Sequence, residues 1–199
     1  RIRKVAVSSG FITTIAGPGS PGNLGDGSAA TSATLFAPVS VAIDLSGNLY
    51  LADADSRLRK ITAATGIIST VAGTGVRGFG IENTPAVAAM LDVPTGVVLD
   101  QAGNLYIADQ NNRRIRKVTA ATGIISTVAG IGTTSYNGEN ISATGAWLNS
   151  PYGVAVDSSG NVFFADTGNQ RVRKITAANG LMTTIAGSGV RGYNGDNIA

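Results

Sequence analysis

Short apolar runs separated by turn residues recur along the whole chain. In the third complete unit they are Val154–Asp157, Val162–Asp166, Arg171–Ile175 and Leu181–Ala186, joined by turns rich in Ser, Asn and Gly. Runs of this length with β-branched and aromatic residues are typical of strands, and short turns join strands that pair antiparallel. The pattern therefore predicts a four-stranded antiparallel meander in every unit.

The distribution of apolar residues within a unit predicts how it packs. All four residues from 49 to 52 are apolar, so we expect both faces of the second strand to be buried. The third strand mixes Arg and Lys with Ile and Val, and we expect it to lie nearer to solvent. Four-stranded sheets that bury both faces against their neighbours form the blades of a β-propeller, so the expected fold class is all-β.

The unit repeats at nearly equal spacing, which the prolines Pro38, Pro94 and Pro151 mark. The second and third units have one extra residue between the Asp that ends the second strand and the Arg that begins the third. An insertion costs least in a turn, and the turn between these two strands is where it lies.

The three units share the motif P-x-x-V-[AV]-[IVL]-D-x-x-G-N-[LV]-[YF]-[LIF]-A-D, followed by R-[ILV]-R-K-[IV]. This motif resembles the NHL repeat, and the resemblance covers the whole chain. It implies an NHL-type propeller similar to those of secreted bacterial NHL proteins and teneurin-like ectodomains. It also implies an extracellular or periplasmic location. The first unit departs from the pattern in its second turn, where Asp55 stands in place of Asn112 and Asn169.

The repeats define a single NHL segment over residues 1–199. Residues 1–37 are expected to form a half blade and an inter-blade loop, and three blade repeats follow at residues 38–93, 94–150 and 151–199. Three and a half blades are fewer than a small propeller ring contains, so we expect part of a six- or seven-bladed ring. The remaining blades belong either to the same chain or to a second copy, with two half-rings forming a seven-bladed homo-oligomer.

The composition excludes several kinds of functional site. The chain has no Cys and no His, which excludes a disulfide framework and a thiolate zinc site and removes the usual general base. Its net charge of +3 is small for a dedicated nucleic-acid binder. No apolar run is long enough to span a bilayer. No cofactor and no catalytic residue are predicted.

Each inter-blade loop carries one acidic residue at the same position, followed by an Ala and a Leu. The four acids are Asp26, Glu82, Glu139 and Asp196. One interpretation is a ring of weak Ca²⁺ ligands, since hard cations take carboxylate oxygens. A second interpretation is that each acid caps a short helical turn whose Ala and Leu pack on the blades.

A second set of carboxylates ends the second strand of each blade. We expect Asp53, Asp109 and Asp166 to accept backbone N–H groups of the adjoining turn. We also expect each to pair with the Arg that opens the next strand, at positions 57, 114 and 171. The repeated Arg-x-Arg-Lys suggests either a solvated edge with salt bridges or an RNA-binding face. RNA recognition also needs exposed aromatic residues, and the strand aromatics are expected to be buried.

Aromatic residues recur in the inter-blade loops, at Phe79, Tyr136, Trp147 and Tyr193. They are either exposed recognition groups for a protein or carbohydrate ligand, or wedges between blades. The predicted function is a non-catalytic binding or scaffold propeller. Two further hypotheses are a fragment of a propeller hydrolase or lyase whose active site lies in blades not present, and an RNA-binding NHL platform.

Overall fold

The structure is a computed structural model and describes residues 1–192 of the chain. It opens with a half-blade, a two-stranded antiparallel sheet of β1 (Ile2–Val5) and β2 (Ile12–Ala16). Blade 1 follows as a meander of β3 (Pro38–Ile43), β4 (Leu49–Asp53), β5 (Arg57–Ile61) and β6 (Ile68–Ala72), paired in that order.

The next two blades each have five strands. Blade 2 is ordered β7-β11-β10-β9-β8, and blade 3 is ordered β12-β16-β15-β14-β13. The strands of blade 2 are β7 (Thr84–Pro85), β8 (Pro94–Leu99), β9 (Leu105–Asp109), β10 (Arg114–Val118) and β11 (Ile124–Ala129). Those of blade 3 are β12 (Ile141–Ser142), β13 (Pro151–Val156), β14 (Val162–Asp166), β15 (Arg171–Ile175) and β16 (Leu181–Ala186). The predicted four-stranded meander is confirmed, and the fold is an all-β partial propeller.

The fifth strand comes from the inter-blade loops, here called segment 1 (residues 17–37), segment 2 (73–93) and segment 3 (130–150). Segment 2 leaves the outer strand of blade 1 and pairs as β7 with the outer strand of blade 2 before it reaches β8. Segment 3 does the same through β12 on blade 3, and segment 1 makes a single bridge from Ala29 to Ile67. Each segment therefore completes the outer edge of the blade that follows it.

The hairpin between the first two strands is built by one side chain. Asp44 Oδ1 accepts the N–H groups of Ser46 at 3.0 Å and Asn48 at 2.9 Å, while Gly47 takes a φ of +81°. Only glycine adopts this conformation without cost. Asp100 and Asp157 make the same bonds, so one Asp builds this hairpin in all three blades.

Short 3-10 helices begin where the segments turn inward, at Ala86–Ala88 and Ala143–Gly145. Ala86, Ala89 and Leu91 of segment 2 are buried between blades 1 and 2. There they contact a cluster that contains Leu58, Ala72, Ile107 and Ile125. The prediction that the Ala and Leu of each segment pack on the blades is confirmed, since each segment fills the gap between two neighbours.

The third strand is more deeply buried than its charges predicted. Arg59, Arg116 and Arg173 are at most 1% exposed, although we expected this strand to lie near solvent. The expectation holds for the first Arg and the Lys of the motif, which are only partly buried, but was wrong for the second Arg because it assumed a four-stranded blade with a wet outer edge. The segment strand covers the edge and brings an acidic partner for each Arg.

The first strands of neighbouring blades lie side by side at the centre of the arc. Thr95 Oγ1 donates to the carbonyl of Tyr152 at 3.2 Å, and Val97 N–H donates to Ser40 Oγ at 3.3 Å. A Cβ atom on Gly96 would lie 2.5 Å from the Tyr152 carbonyl oxygen. The close approach of β8 and β13 therefore requires glycine at this position.

The packing of segment 2 predicts a specific sensitivity. Leu91→Ala should lower the free energy of unfolding by about 2–5 kcal/mol, because it removes buried apolar contacts and leaves a cavity. Urea unfolding measures this. Leu45→Ala is the matched control, because Leu45 is fully exposed and should give a change within about 0.5 kcal/mol. Equal losses in the two variants would contradict the role of the segment as a buried wedge.

Candidate functional site

A buried guanidinium lies at the outer end of every complete blade. In blade 2, Arg116 Nη1 lies 3.4 Å from Asp109 Oδ2, and Nη2 lies 3.5 Å from Glu82 Oε1. In blade 3, Arg173 pairs with Asp166 at 3.6 Å and lies 3.9 Å from Glu139. Each buried charge is thus held between a carboxylate of its own blade and one brought by the incoming segment.

Blade 1 has the same arrangement with one contact fewer. Arg59 Nη2 lies 2.5 Å from Asp26 Oδ1 of segment 1, and Arg59 Nη1 has no hydrogen-bond partner within the described residues. Asp53 instead accepts the N–H groups of Phe36 and Ala37, at 2.8–3.1 Å. The incoming acid alone pairs with the guanidinium here.

The segment acids also bind the outer strand. Glu82 accepts the Thr127 N–H at 2.9 Å and the Thr127 hydroxyl, and Asp26 accepts the Thr70 N–H at 3.0 Å. Glu139 accepts the corresponding groups of Thr184. The 3-10 helices receive no side-chain cap, so the prediction that these acids cap a helical turn was wrong.

The surroundings of Glu139 and Asp26 favour the charged form of these carboxylates. Partial burial works against the charged form of Glu139, but hydrogen bonds from Thr184 and Tyr136 and the charge of Arg173 outweigh it and lower its pKa. The pKa of Asp26 is lowered in the same way by Thr70 and Arg59. Residues 1–192 contain no group of three or more metal-ligating side chains, and Asp196 lies outside the described residues. The Ca²⁺ interpretation thus gains no support from the described geometry.

The carboxylates that end the second strand have different partners from those expected. Asp109 accepts Asp92 N–H at 2.8 Å and Asn112 Nδ2 at 2.9 Å, and Asp166 makes the same contacts with Asn149 and Asn169. Their guanidinium partner is the second Arg of Arg-x-Arg-Lys, so the predicted pairing with Arg114 and Arg171 was wrong. The pairing of the third and outer strands shifts just before the second Arg, with the extra residue on the outer strand.

The first Arg of the motif instead ties the strand to the end of its own blade. Arg114 Nη2 donates to the Ile131 carbonyl at 2.7 Å, and Arg171 Nη2 donates to the Ser188 carbonyl at 3.0 Å. A Cβ atom on Gly132 would lie 2.6 Å from the Arg114 guanidinium. The second glycine of each Val/Ile-Ala-Gly-x-Gly sequence therefore makes room for this Arg side chain.

Two of the predicted aromatic residues lie on these arginines. The Arg114 guanidinium lies 3.6 Å from the centre of the Phe79 ring, and that of Arg171 lies 3.9 Å from the Tyr136 ring. Tyr136 also donates its hydroxyl to Glu139 at 2.5 Å. Cation–π contact of this kind fixes the rings on the segments. Tyr193, the equivalent residue of the next loop, lies outside the described residues.

Blade 1 replaces this stacking with an ion pair. Asn23 stands where the later segments carry an aromatic residue, and Arg57 pairs with Asp55 at 2.6 Å. Burial raises the pKa of Asp55, and the neighbouring Asp53 raises it further against the hydrogen bond from Arg57. The turn of blade 1 is shorter but still ends in a left-handed residue, Ser56, at a φ of +69°. The equivalent residue of blade 2, Arg113, has a φ of +53°.

The outer surface of the segments is strongly apolar. Phe79 is 40% exposed, Trp147 is 36% exposed, and Ile81 is 82% exposed. Four of the exposed apolar side chains of segment 2 were not predicted from the sequence, namely Val76, Ile81, Val87 and Met90. No residue pattern distinguishes them from buried positions, although the length and irregularity of the segments do mark them as candidate binding loops.

The first strands of the three blades offer few side chains that could take part in catalysis. The positions nearest the centre of the arc are Val39-Ser40, Thr95-Gly96 and Tyr152-Gly153, and none is acidic. Asp44, Asp100 and Asp157 are engaged in their hairpins. None of the helices within residues 1–192 has the length and apolar character needed to cross a membrane.

In a comparison with known proteins, two family models together match most of this chain. The teneurin NHL domain model matches residues 3–78, and the NHL repeat model matches residues 91–118 and 148–175. One similar protein is Protein SUPPRESSOR OF QUENCHING 1, chloroplastic, from Arabidopsis thaliana. It is 29% identical over 184 residues, which are 88% of this chain and 17% of that protein.

Teneurin-3 of Mus musculus is 31% identical over 166 residues, covering 77% of this chain and 6% of that protein. The chain thus spans less than a fifth of the length of these relatives. Among solved structures, a structural-genomics protein of unknown function from Bacteroides thetaiotaomicron superposes with a TM-score of 0.58 at 21% identity. That match covers 75% of this chain and 35% of the matched chain. At this identity the likeness establishes the fold alone.

The buried guanidinium predicts a large loss on substitution. Arg116→Met should lower the free energy of unfolding by about 3–5 kcal/mol, because it leaves Asp109 and Glu82 without their counter-charge. Urea unfolding compares it with Arg77→Met, which removes an exposed Arg of segment 2 and should have little effect. A loss below about 1 kcal/mol for Arg116→Met would contradict a central role for this charge.

Asp109 predicts a pH dependence of stability. Burial raises its pKa to about 6, against the lowering effects of the Asp92 N–H, Asn112 and Arg116. Between about pH 4 and pH 6 the folded state therefore keeps a proton that the unfolded state has released, and stability falls as pH rises. Wild type should lose stability relative to Asp109→Asn over this range in urea titrations. An unchanged difference between the two proteins would contradict the raised pKa.

Proposed function

The chain belongs to the NHL-repeat family, and from this we propose that it is part of a non-catalytic recognition propeller. It binds a protein partner through the outer surface of its inter-blade segments. The observation that carries this proposal is the apolar surface of segment 2, where five exposed apolar side chains stand on a backbone fixed by buried ion pairs. These side chains are Val76, Phe79, Ile81, Val87 and Met90.

The rigidity of the segments supports recognition. Segment 2 is held at its middle by Glu82, at its end by Leu91, and at Phe79 by the Arg114 guanidinium. A surface already ordered before binding loses little conformational entropy when a partner docks. Exposed apolar patches with aromatic members are typical of protein interaction sites.

A carbohydrate ligand is the second candidate, on segment 3. Trp147 is exposed, and its backbone N–H donates to Asn137 Oδ1, next along the chain from the stacked Tyr136. An exposed indole ring offers both apolar contact and an N–H donor to a sugar. This arrangement supports sugar binding at segment 3 more than at segment 2.

RNA binding and catalysis have less support. For RNA binding, Arg59, Arg116 and Arg173 are buried in ion pairs and are not available to phosphates. Lys60 and Lys117 lie over the rings of Tyr50 and Tyr106, at 5.5 and 5.4 Å from the ring centres. For a hydrolase or lyase, the described inner strands offer no acid toward the centre, so a reaction centre would have to lie in further blades.

The proposal also covers the compartment of the protein and the remaining blades of its propeller. We place the protein outside the cytoplasm, in an extracellular or periplasmic compartment, on the resemblance to secreted NHL proteins. We propose that further blades complete the exposed flank of the half-blade, supplied either by the same chain or by a second copy.

The test changes Ile81, the most exposed of these five side chains, without touching the core. Immobilised wild type, Ile81→Ser and the matched control Leu45→Ser are each exposed to extract from the source organism, and the retained proteins are identified. We expect a protein retained by wild type and Leu45→Ser but at least tenfold less by Ile81→Ser. Retention of the same proteins at the same level by all three would contradict the proposal.

A glycan array probed with wild type and with Trp147→Ala tests the second candidate, a carbohydrate ligand on segment 3. A sugar signal that Trp147→Ala loses, with no protein dependent on Ile81, would move the site to segment 3. Turnover of a lactone by this chain would contradict the non-catalytic assignment.

A further inference from the structure

The turn between the second and third strands carries a carboxylate in blade 1 and an amide in the other two blades. Asn112 and Asn169 directly precede the left-handed residue of this turn in blades 2 and 3, and Asp55 precedes it in blade 1. A charged carboxylate only accepts hydrogen bonds, whereas an amide also donates them. The three blades pair these two strands in the same register, so blades 2 and 3 show what a donor does at this position.

The asparagine of blades 2 and 3 ties the incoming segment to its blade. Asn112 Nδ2 donates to the Gly78 carbonyl of segment 2 at 2.7 Å and to Asp109 Oδ2 at 2.9 Å. Asn169 Nδ2 donates to the Ser135 carbonyl of segment 3 at 2.6 Å and to the Asp of its own blade at 2.9 Å. Every partner comes from the blade or from the segment before it, and the structure describes both for blade 1.

Segment 1 offers an equivalent carbonyl to blade 1. Gly22 N–H donates to the Leu35 carbonyl at 3.3 Å. Gly78 N–H donates to the Leu91 carbonyl at the same distance, so the two glycines occupy equivalent positions in their segments. The acceptor that the asparagine uses in blade 2 therefore has a counterpart in the Gly22 carbonyl. A charged Asp55 has no proton to donate to it.

The Asp55 side chain is buried, and only one of its two oxygens is paired. The side chain is 7% exposed, and Oδ2 lies 2.6 Å from Arg57 Nη1, but Oδ1 accepts no hydrogen bond from the described residues. Its charged neighbours are Asp53 at the end of β4 and Arg57 and Arg59 on β5, and Arg59 in turn pairs with Asp26 of segment 1. Three carboxylates thus meet two guanidinium groups, and one proton would cancel the excess charge.

A proton would also change what Asp55 can bond. A neutral carboxyl has nearly the shape of an Asn side chain, and its O–H is a hydrogen-bond donor. Burial raises the pKa of Asp55 and the Asp53 charge raises it further, while Arg57 and Arg59 lower it by less. The folded protein therefore keeps this proton to a higher pH than the unfolded chain. The stability that the proton contributes is lost as the pH rises through the folded value.

We propose that Asp55 is a proton-sensitive contact between blade 1 and segment 1. In its neutral form it donates to the Gly22 carbonyl, as the asparagine does in blade 2, and holds the segment. In its charged form it pairs with Arg57 alone, and the bond to the segment is absent. Segment 1 exposes Leu24 and Phe36, so the pH determines how firmly these side chains are held. This regulation goes beyond the proposed recognition and does not depend on what the segments bind.

Reciprocal variants test the contact. Asp55→Asn gives blade 1 the amide of the other blades and should hold segment 1 at every pH. The Gly22 amide should then exchange about three- to tenfold more slowly than in wild type at about pH 7, the effect expected of one or two neutral hydrogen bonds. At about pH 4, where wild type carries the proton, the two rates should agree within about twofold. Asn112→Asp should speed exchange of the Gly78 amide by a similar factor at about pH 7.

A control variant and a direct measurement of the proton complete the experiment. Variants are compared with wild type at the same pH, because Asp109 also titrates in this range. Asp92→Asn removes a carboxylate from segment 2 that accepts the Asn111 amide, and should leave the Gly22 rate unchanged. The carbon-13 chemical shift of the Asp55 carboxyl should titrate with a midpoint above about 4.

Three results would overturn the proposal. The first is a ratio of Gly22 exchange rates, Asp55→Asn against wild type, that is the same at both pH values. The second is a carboxyl midpoint for Asp55 at or below about 4. The third is protection of Gly22 that follows added Ca²⁺ at constant pH, which would make the oxygens around Asp55 a cation site.

Discussion

The architecture depends on one buried charge per blade. Arg59, Arg116 and Arg173 lose their hydration when the blade forms, and such a loss is tolerated only when counter-charges and hydrogen bonds replace the water. In blades 2 and 3 one carboxylate comes from the end of the second strand and another from the segment that arrives from the preceding blade. The sheet, its outer edge and the inter-blade connection therefore fold as one unit. An inter-blade segment therefore packs some of its side chains into the core and presents others at the surface.

This constraint explains how irregular loops present fixed side chains. The guanidinium and the outer-strand Thr hold the acid of each segment, its Ala and Leu fill the gap between blades, and Phe79 or Tyr136 lies flat on the first Arg of the motif. The remaining side chains of the segment have no place in the core and face outward. The recognition proposed for this surface needs no catalytic group and no bound metal.

Much of the fold follows from the sequence, because the strands, hairpin aspartates and both-face burial are local properties. The fifth strand does not, since Thr84–Pro85 is two residues long and contains a Pro that local rules exclude from strands. Nor does the burial of the second Arg, because Arg-x-Arg-Lys in isolation reads as a wet edge. One signal was available. Each acid of a segment recurs 44 or 45 residues before a Thr of the outer strand, in three copies. The exposure of Ile81 and its neighbours depends on how the segment packs and has no such signal.

Native-state hydrogen exchange of four equivalent threonine amides tests this account most directly. Thr70, Thr127 and Thr184 donate to segment acids, whereas Thr14 holds the same register on the half-blade. The first three amides should exchange at least about tenfold more slowly than that of Thr14. Exchange of Thr127 as fast as Thr14 would show that the segment acid does not hold the outer edge, and would contradict the central role of the buried arginine.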